Sequence, residues 1–222
     1  MSRHKRPIQI KQLLKKLRSN DKGDVIEAGI ELNRSYNVPV KPLFSVLEKS
    51  DNPHNREFAA YALISPLREL ESKISKCRRR RVFARRVYEH NFREKIGQIF
   101  KFLLKVIDFD KAKNVRGQAL EALGMSWTAG NHRHKCRRLI EKSIVAALSD
   151  DSPEVRFWAC YSAGSLKIKN ALPKLRELTE NDTQDWGQWW PVSEEAADAI
   201  EWVYGRYTEA RIPLAQRTET EN

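Results

Sequence analysis

The chain has 222 residues, of which 41% are hydrophobic and 32% are charged, as is typical of proteins built from helices with long polar faces. No run approaches the roughly 20 consecutive apolar residues that a transmembrane helix needs, so we expect no membrane partner. Cys77, Cys136 and Cys160 are odd in number and unclustered, which argues against a disulfide framework. The cysteine pattern therefore predicts a reducing, cytoplasmic location.

The charge is unevenly distributed along the chain. Residues 1–150 hold 33 Lys and Arg against 16 Asp and Glu, a net +17, whereas residues 151–222 hold 8 against 13, a net −5. Such asymmetry orients a molecule in the field of a polyanion or of an acidic surface. The alternative is that long helical surfaces need charge only for solubility.

The N-terminal part predicts short amphipathic helices. Residues 8–18 carry apolar side chains at helical spacing, and the lysines between them indicate a first helix or cap rather than a signal peptide. Residues 20–24 form a turn with N-cap candidates. Residues 25–36 and 43–47 then predict a degenerate helix pair, and the helix that follows should kink or end at Pro66.

The most basic stretch runs from Lys73 to Lys95, with ten basic residues and two acidic ones. On a helical wheel Phe83 and Val87 fall on one side and most of the arginines on the other. The pattern predicts an amphipathic helix within an elongated basic helix pair at residues 68–107. We expect its binding residues to be Arg78, Arg79, Arg81, Arg85, Arg86 and Arg93.

Two similar segments follow, and the whole chain is interpreted from them. Val115 and Val155 are 40 residues apart, and each begins an apolar stripe at a spacing of three to four residues. In each segment a second short apolar stripe comes after a break. Two short helices cannot bury their apolar faces alone, so this repeat predicts stacked helix pairs. On the second helix of the first segment we add Arg137, Arg138 and Lys142 to the expected basic binding surface.

These segments also carry a family resemblance. Asp-Asp-Ser-Pro-Glu-Val-Arg at residues 150–156 and Ala-Leu-Pro-Lys-Leu at 171–175 resemble the bacterial HEAT-repeat pattern. The pattern is most similar to the HEAT-like repeats of phycobilisome lyases, a type of repeat that also occurs in many proteins other than those enzymes. The resemblance is good over residues 110–180 and weak before 108. It implies an all-α, right-handed α-solenoid of about five stacked HEAT-like helix pairs, with a partner-binding concave surface formed by the second helices.

The resemblance also implies structural roles for individual residues. Asp110, Asp151, Arg116 and Arg156 would form a polar ladder between successive repeats. We expect residues 1–207 to form a single solenoid domain and residues 208–222 to form a polar C-terminal tail.

A tryptophan cluster precedes the last predicted helix. The rings of Trp186, Trp189 and Trp190 could stack on a flat ligand, but we favour a plug at the end of the solenoid, because terminal repeats need capping. A DNA-glycosylase-like enzyme would use such tryptophans with a carboxylate, for which Asp182 and Asp185 are conceivable candidates. No motif of such an enzyme aligns, and a chromophore-lyase activity would rest on repeat type alone.

Metal binding is the last possibility that the sequence raises. His132, His134 and Cys136 are metal-capable, but zinc needs three or four ligands, and the neighbouring arginines and lysines would repel a cation. We therefore expect no metal, no cofactor and no catalytic residues. The sequence predicts a non-catalytic interaction scaffold that binds an acidic protein partner through a basic surface. The alternative is a nucleic-acid-binding protein.

Overall fold

The computed structural model describes residues 7–79, 85–126, 128–131, 134–187, 189–206 and 211. Within these ranges the regular structure is helical throughout and contains no strand. The helices are α1 (Pro7–Lys16), α2 (Lys22–Asn33), α3 (Val40–Lys49), α4 (Pro53–Ala62), α5 (Ile64–Arg79), α6 (Arg85–Phe109), α7 (Lys113–Gly124), α8 (Arg137–Ala147), α9 (Pro153–Ser165), α10 (Leu172–Asn181) and α11 (Val192–Val203), with a short 3-10 turn at Lys169–Ala171.

The helices form two layers. The first helices of successive pairs, α2, α4, α7, α9 and α11, stack directly on one another. The second helices α3, α6, α8 and α10 pack against this row as a second layer, and α6 contacts both α3 and α8. The predicted all-α solenoid is confirmed. Among the described residues it has four complete helix pairs, with α1 before the first pair and α11, which continues the row of first helices, after the last.

One continuous hydrophobic core joins the two layers, from Ile10 in α1 to Val203 in α11. The stripes predicted from Val115 and Val155 face this core, and both valines are fully buried. The second layer is held to it by large side chains such as Phe100, which is also fully buried. The 3.6-residue periodicity therefore identified the inner faces correctly.

The second pair is the elaborated one, as the sequence indicates. Its second helix is replaced by α5 and the 25-residue α6, which pack against each other. The chain leaves α4 at Leu63, and Pro66 lies in the first turn of α5, where its missing amide costs no helical hydrogen bond. Residues 80–84, which include Arg81 of the predicted arginine face, lie outside the described part of the chain.

An arginine–aspartate ladder connects the repeats. Arg116 Nη2 lies 2.8 Å from Asp150 Oδ1, and Arg116 Nη1 also donates to the main-chain oxygen of Asp110. Each guanidinium thus ties the turn before its own helix to the turn that begins the next repeat. The other two rungs are Arg56 with Asp110 and Arg156 with Asp182.

The assignment of Asp151 to this ladder is wrong. Its carboxylate is exposed, and only its main-chain oxygen is used, as an acceptor for Arg156. Asp150 takes the predicted place, because one of its oxygens also accepts a hydrogen bond from the Ser152 amide. That second bond fixes the Asp150 side chain at the entry of α9 and aims its carboxylate at Arg116.

Candidate interaction surfaces

The exposed side of the second layer carries a row of cations. The helices α6 and α8 lie side by side, with Lys135 Nζ 2.6 Å from a carboxylate oxygen of Glu94. Farther along the same two helices, Ser143 donates a hydrogen bond to Asp108. Exposed lysine and arginine side chains project from α1, α3, α6 and α8. We call the following set the basic face: Lys11, Lys15, Lys41, Lys101, Lys105, Arg138 and Lys142.

Most members of the basic face form no ion pair with a described residue. Lys105 lies 3.8 Å from Glu48, and both side chains are well exposed, so this pair is weak. The other six cations make no hydrogen bond or ion pair with any described residue. Leu139 lies between Arg138 and Lys142 in the sequence and is 54% exposed. The face thus combines unpaired positive charge with an apolar side chain.

The basic face also includes a groove that the sequence did not reveal. A cavity of about 1430 Å³ lies between α1 and α3. Lys11, Lys15 and Lys41 line it, together with the apolar Leu14 and Pro42. The lysines of α1 are visible in the sequence as the polar side of an amphipathic helix. Their proximity to α3 depends on helix packing, and no local pattern signals it.

Only some of the arginines predicted to bind a partner lie within the described part of the structure. Arg78 and Arg79 end α5, and Arg85 and Arg86 begin α6, but their side chains lie outside the described part of the structure. Arg93 is half-buried, and its Nη2 lies 2.8 Å from an oxygen of Glu89, one helical turn earlier. Arg93 therefore forms an ion pair within its own helix.

Arg137 does not belong to an exposed surface, contrary to the sequence-based expectation. Only 4% of the residue is exposed. Its Nη1 donates to the main-chain oxygen of Ala129 at 3.1 Å, and its Nη2 donates to that of Leu166 at the same distance. Its Nε lies 2.7 Å from Glu141. Arg137 thus ties the loop before α8 to the C-terminal end of α9, whereas its neighbour Arg138 is exposed.

The first layer has a different surface, on which aromatic rings lie over glycines. A Cβ atom on Gly117 of α7 would lie 2.9 Å from Cδ1 of Trp158 in α9. One on Gly124 would lie 2.8 Å from Cε1 of Tyr161. Each glycine therefore allows a half-buried ring of the next helix to approach the α7 backbone. The same arrangement holds for Phe58 over Gly29 and for Trp202 over Gly164.

Carboxyl groups accompany these rings. Glu121 is four residues after Gly117 and three before Gly124, so it lies on the α7 face that Trp158 and Tyr161 cover. Burial raises the pKa of Glu121, against the effect of its hydrogen bond from Gln118. Burial also raises the pKa of Tyr161, and the charge of Glu121 adds to that rise. The two groups lie near each other, because Tyr161 covers Gly124 and Glu121 lies one helical turn before this glycine.

A second carboxyl group lies one turn before Trp158. Glu154 is 9% exposed and has no hydrogen bond or ion pair among the described residues. Burial raises its pKa; Lys113 counteracts the rise, and Glu57 of α4 adds to it. Glu57 in turn accepts a hydrogen bond from Asn114 of α7. We call this surface the aromatic–acidic face, and it consists of Glu57, Glu121, Glu154, Trp158 and Tyr161.

The tryptophan cluster packs around the solenoid end. The rings of Trp186, Trp189 and Trp190 lie 5.9, 6.5 and 5.8 Å from the ring of Phe157, which is almost fully buried. Trp190 Nε1 donates to a carboxyl oxygen of Glu195 at 2.8 Å. These contacts connect α9 with α11. A plug between the last repeat and the terminal helix would make the same connection.

The candidate catalytic carboxylates differ in their surroundings. Asp182 is buried, and its two oxygens lie 2.6 and 3.1 Å from Nε and Nη2 of Arg156. Asp182 is thus the last rung of the ladder and is not free to act as a catalytic base. Asp185 is exposed and accepts a hydrogen bond from the Gly187 amide.

Two of the three residues considered as metal ligands, His134 and Cys136, are buried. His134 is buried with its ring edge-on to Phe100 at 5.2 Å, and burial lowers the pKa of the imidazole. Burial raises the pKa of the Cys136 thiol, which points toward the main-chain oxygen of Gly97. His132 lies outside the described residues. Elsewhere in the described ranges, no three His, Cys, Asp or Glu side chains come together as a metal site would require.

None of the described helices combines the length and apolar character that crossing a bilayer requires. Stacked helix pairs, a repeated arginine–aspartate ladder and a core shared between repeats define the chain as a helical-repeat solenoid. Residues 100–201 match the family model of HEAT repeats. The resemblance inferred from residues 150–175 is thereby confirmed.

Solved structures agree with this assignment of the fold. The complex of CpcE and CpcF of phycocyanin lyase from Nostoc sp. PCC7120 matches with a TM-score of 0.60 and 15% identity, over 87% of this chain and 98% of that one. An engineered protein matches with a TM-score of 0.52 and 17% identity, over 88% of this chain and 79% of its own. At these identities the likeness concerns the fold alone. No curated protein matches the sequence.

Proposed function

We propose that the chain is a non-catalytic HEAT-repeat scaffold that binds an acidic protein partner through its basic face. The observation that carries the proposal is the row of exposed cations on α1, α3, α6 and α8, most of which form no ion pair with a described residue. Unpaired surface charges are free to form ion pairs with a partner, because no intramolecular pair has to be broken first. The groove between α1 and α3 offers a concave place for such a partner.

A protein partner is favoured over nucleic acid by the apolar groups among the cations. Leu139 is more than half exposed beside Arg138, and Leu14 and Pro42 line the groove with the lysines. An acidic protein segment can place apolar side chains against them, whereas a phosphate backbone has no equivalent group. The CpcE–CpcF neighbour is itself a complex between proteins, which agrees with this use of the fold.

Nucleic-acid binding is the second candidate, because phosphates would meet the same lysines and arginines. Its glycosylase-like form is not favoured, since Asp182 is held by Arg156. The two candidates differ in their ligands and can be separated with defined probes.

The test measures binding of the full chain to a labelled peptide of alternating Glu and Leu and to single-stranded DNA and RNA oligonucleotides, in a salt titration. We expect the peptide to bind at low salt and to dissociate as salt rises. Combined Lys101→Glu, Arg138→Glu and Lys142→Glu substitutions should abolish binding. Lys113→Glu, an exposed cation on α7 in the first layer, is the matched control and should change little.

Two outcomes would overturn the proposal. Binding of the oligonucleotides but not of the peptide would favour the nucleic-acid function. Peptide binding that is equally strong in the charge-reversed variant would show that the basic face is not the site.

A further inference from the structure

The aromatic–acidic face contains two carboxyl groups that form no ion pair in the described structure, although the charges of Lys113 and Arg116 act on one of them, Glu154. Among the described residues, Glu154 is nine-tenths buried and its side chain makes no hydrogen bond or ion pair, and the Glu121 side chain is hydrogen-bonded only to the neutral Gln118. Burial disfavours the charged form of both groups. A cation supplied by a ligand would offset the cost, because it would stabilise their charged forms.

We propose that the aromatic–acidic face binds an arginine-containing peptide segment, with guanidinium groups placed between the rings of Trp158 and Tyr161 and the carboxylates of Glu121 and Glu154. This site is separate from the basic face and has the opposite charge preference. Its occupant is therefore different from the acidic partner proposed above, and the two proposals can fail independently.

The rings favour arginine over other cations. Trp158 and Tyr161 are half-buried, with ring centroids 5.6 Å apart in an edge-on arrangement, and both are supported from below by the glycines of α7. A planar guanidinium can stack on such a ring and donate two hydrogen bonds to a carboxylate at the same time. A lysine ammonium can form the ion pair but cannot form the same stack.

The dimensions and neighbours of the face favour an extended segment. Glu57, Glu121 and Glu154 come from three consecutive first helices, so a ligand that reaches all three must cross the row of helices. A groove of about 730 Å³ adjoins the face at the C-terminal ends of these helices and is lined by Arg34 and Lys167. These cations repel arginine, and they confine the cationic part of the ligand to the side of the carboxylates.

General electrostatic attraction does not explain such binding. The chain as a whole carries a net charge of +12, which repels a cationic peptide at long range. Any affinity for such a peptide must therefore come from a local surface. Binding of a cationic peptide thus distinguishes a specific site from non-specific attraction.

The experiment uses the full chain and a fluorescein-labelled octapeptide of alternating Arg and Ser, with binding followed by fluorescence polarisation at low salt. We expect saturable binding, and weaker binding when Lys replaces Arg in the peptide. The double variant Glu121→Gln and Glu154→Gln should weaken binding by about tenfold. These substitutions keep the side-chain shape and remove charges that burial disfavours, so the variant should fold, which circular dichroism verifies.

The matched control is the double variant Glu177→Gln and Glu180→Gln, which removes two exposed carboxylates from α10 in the second layer. Its affinity for the arginine peptide should equal that of the unmodified chain. Absence of binding to the unmodified chain would overturn the proposal. Equal losses in the two double variants would also overturn it, because the carboxylates of the aromatic–acidic face would then have no special role.

Discussion

The guanidinium of Arg116 and the carboxylate of Asp150 join two repeats through paired contacts, with Nη2–Oδ1 and Nε–Oδ2 distances of 2.8 and 3.0 Å. Both side chains are less than one-fifth exposed. Such a planar, two-point ion pair is stronger than a typical surface pair, because it is partly shielded from water and fixed in orientation.

We predict that Asp150→Ala lowers the free energy of unfolding by about 2–3 kcal/mol, because it leaves the Arg116 guanidinium unpaired and removes the acceptor of the Ser152 amide. The neighbouring Asp151→Ala should change it by less than about 0.5 kcal/mol, since that carboxylate is exposed. Urea denaturation followed by circular dichroism measures both. Equal effects of the two substitutions would contradict the assignment of Asp150 to the ladder.

The contact of Gly164 with α11 gives a second prediction. A Cβ atom on Gly164 would lie 2.7 Å from the Cα of Ala199, and a main-chain neighbour cannot move aside as a flexible side chain can. Gly164→Ala should therefore lower the free energy of unfolding by about 1–3 kcal/mol.

The control for this substitution is Gly97→Ala in the middle of α6. The nearest atom to a Cβ there is the Cε of Lys135 at 3.4 Å, which is an ordinary contact with a flexible side chain. Alanine should stabilise the protein by about 0.5–1 kcal/mol at this site, because it is the better helix former. Thermal unfolding of the two variants should thus shift in opposite directions, and a stabilising Gly164→Ala would show that α9 and α11 are less closely packed.

Arg137 and Arg138 provide a third prediction from adjacent residues of the same type. Arg137→Ala should lower the free energy of unfolding by about 2–4 kcal/mol, because it leaves the buried carbonyl groups of Ala129 and Leu166 without their donor. Arg138→Ala should change stability by less than about 0.5 kcal/mol but should weaken binding of the acidic peptide. Denaturation and peptide titration of both variants separate the two roles. If Arg137→Ala weakened peptide binding without loss of stability, its structural role would be refuted.

The pairs of adjacent residues show how far the sequence could predict the structure. The apolar stripes that begin at Val115 and Val155 are local periodic patterns. The helices and their buried faces could be predicted from these patterns alone. Asp150 and Asp151 have the same side chain, and so do Arg137 and Arg138. Arg137 and Arg138 differ by a rotation of about 100° on α8, and Asp150 and Asp151 lie in the turn before α9, so which member of each pair is used depends on how neighbouring repeats are placed.

The aromatic–acidic face was not predictable for the same reason. Gly117 and Trp158 are distant in sequence, and nothing local indicates that the ring of one repeat covers the glycine of another. The sequence showed Glu121 and Glu154 only as ordinary polar positions of two amphipathic helices. Their shared surface arises from the stacking of α7 on α9, which is a property of the assembled solenoid.

The buried carboxyl group of Glu195 leads to a prediction on pH dependence. One of its oxygens accepts a hydrogen bond from Trp190, the other has no partner among the described residues, and burial raises its pKa to about 8. The folded protein therefore holds a proton that the unfolded chain, with an ordinary glutamate pKa of about 4.3, releases. The stability that this group contributes is complete at acidic pH and is lost as the pH rises to about 8.

We expect the free energy of unfolding to fall by about 1 kcal/mol per pH unit across this interval through Glu195, in addition to the effects of other groups. Glu195→Gln should remove this slope, because the amide stays neutral at every pH while it fills the same space. Glu180→Gln, an exposed position on α10, should leave the slope unchanged. Urea denaturation between pH 5 and about pH 8 gives the slopes, and identical slopes for Glu195→Gln and the unmodified chain would show that Glu195 is ionised in the folded protein.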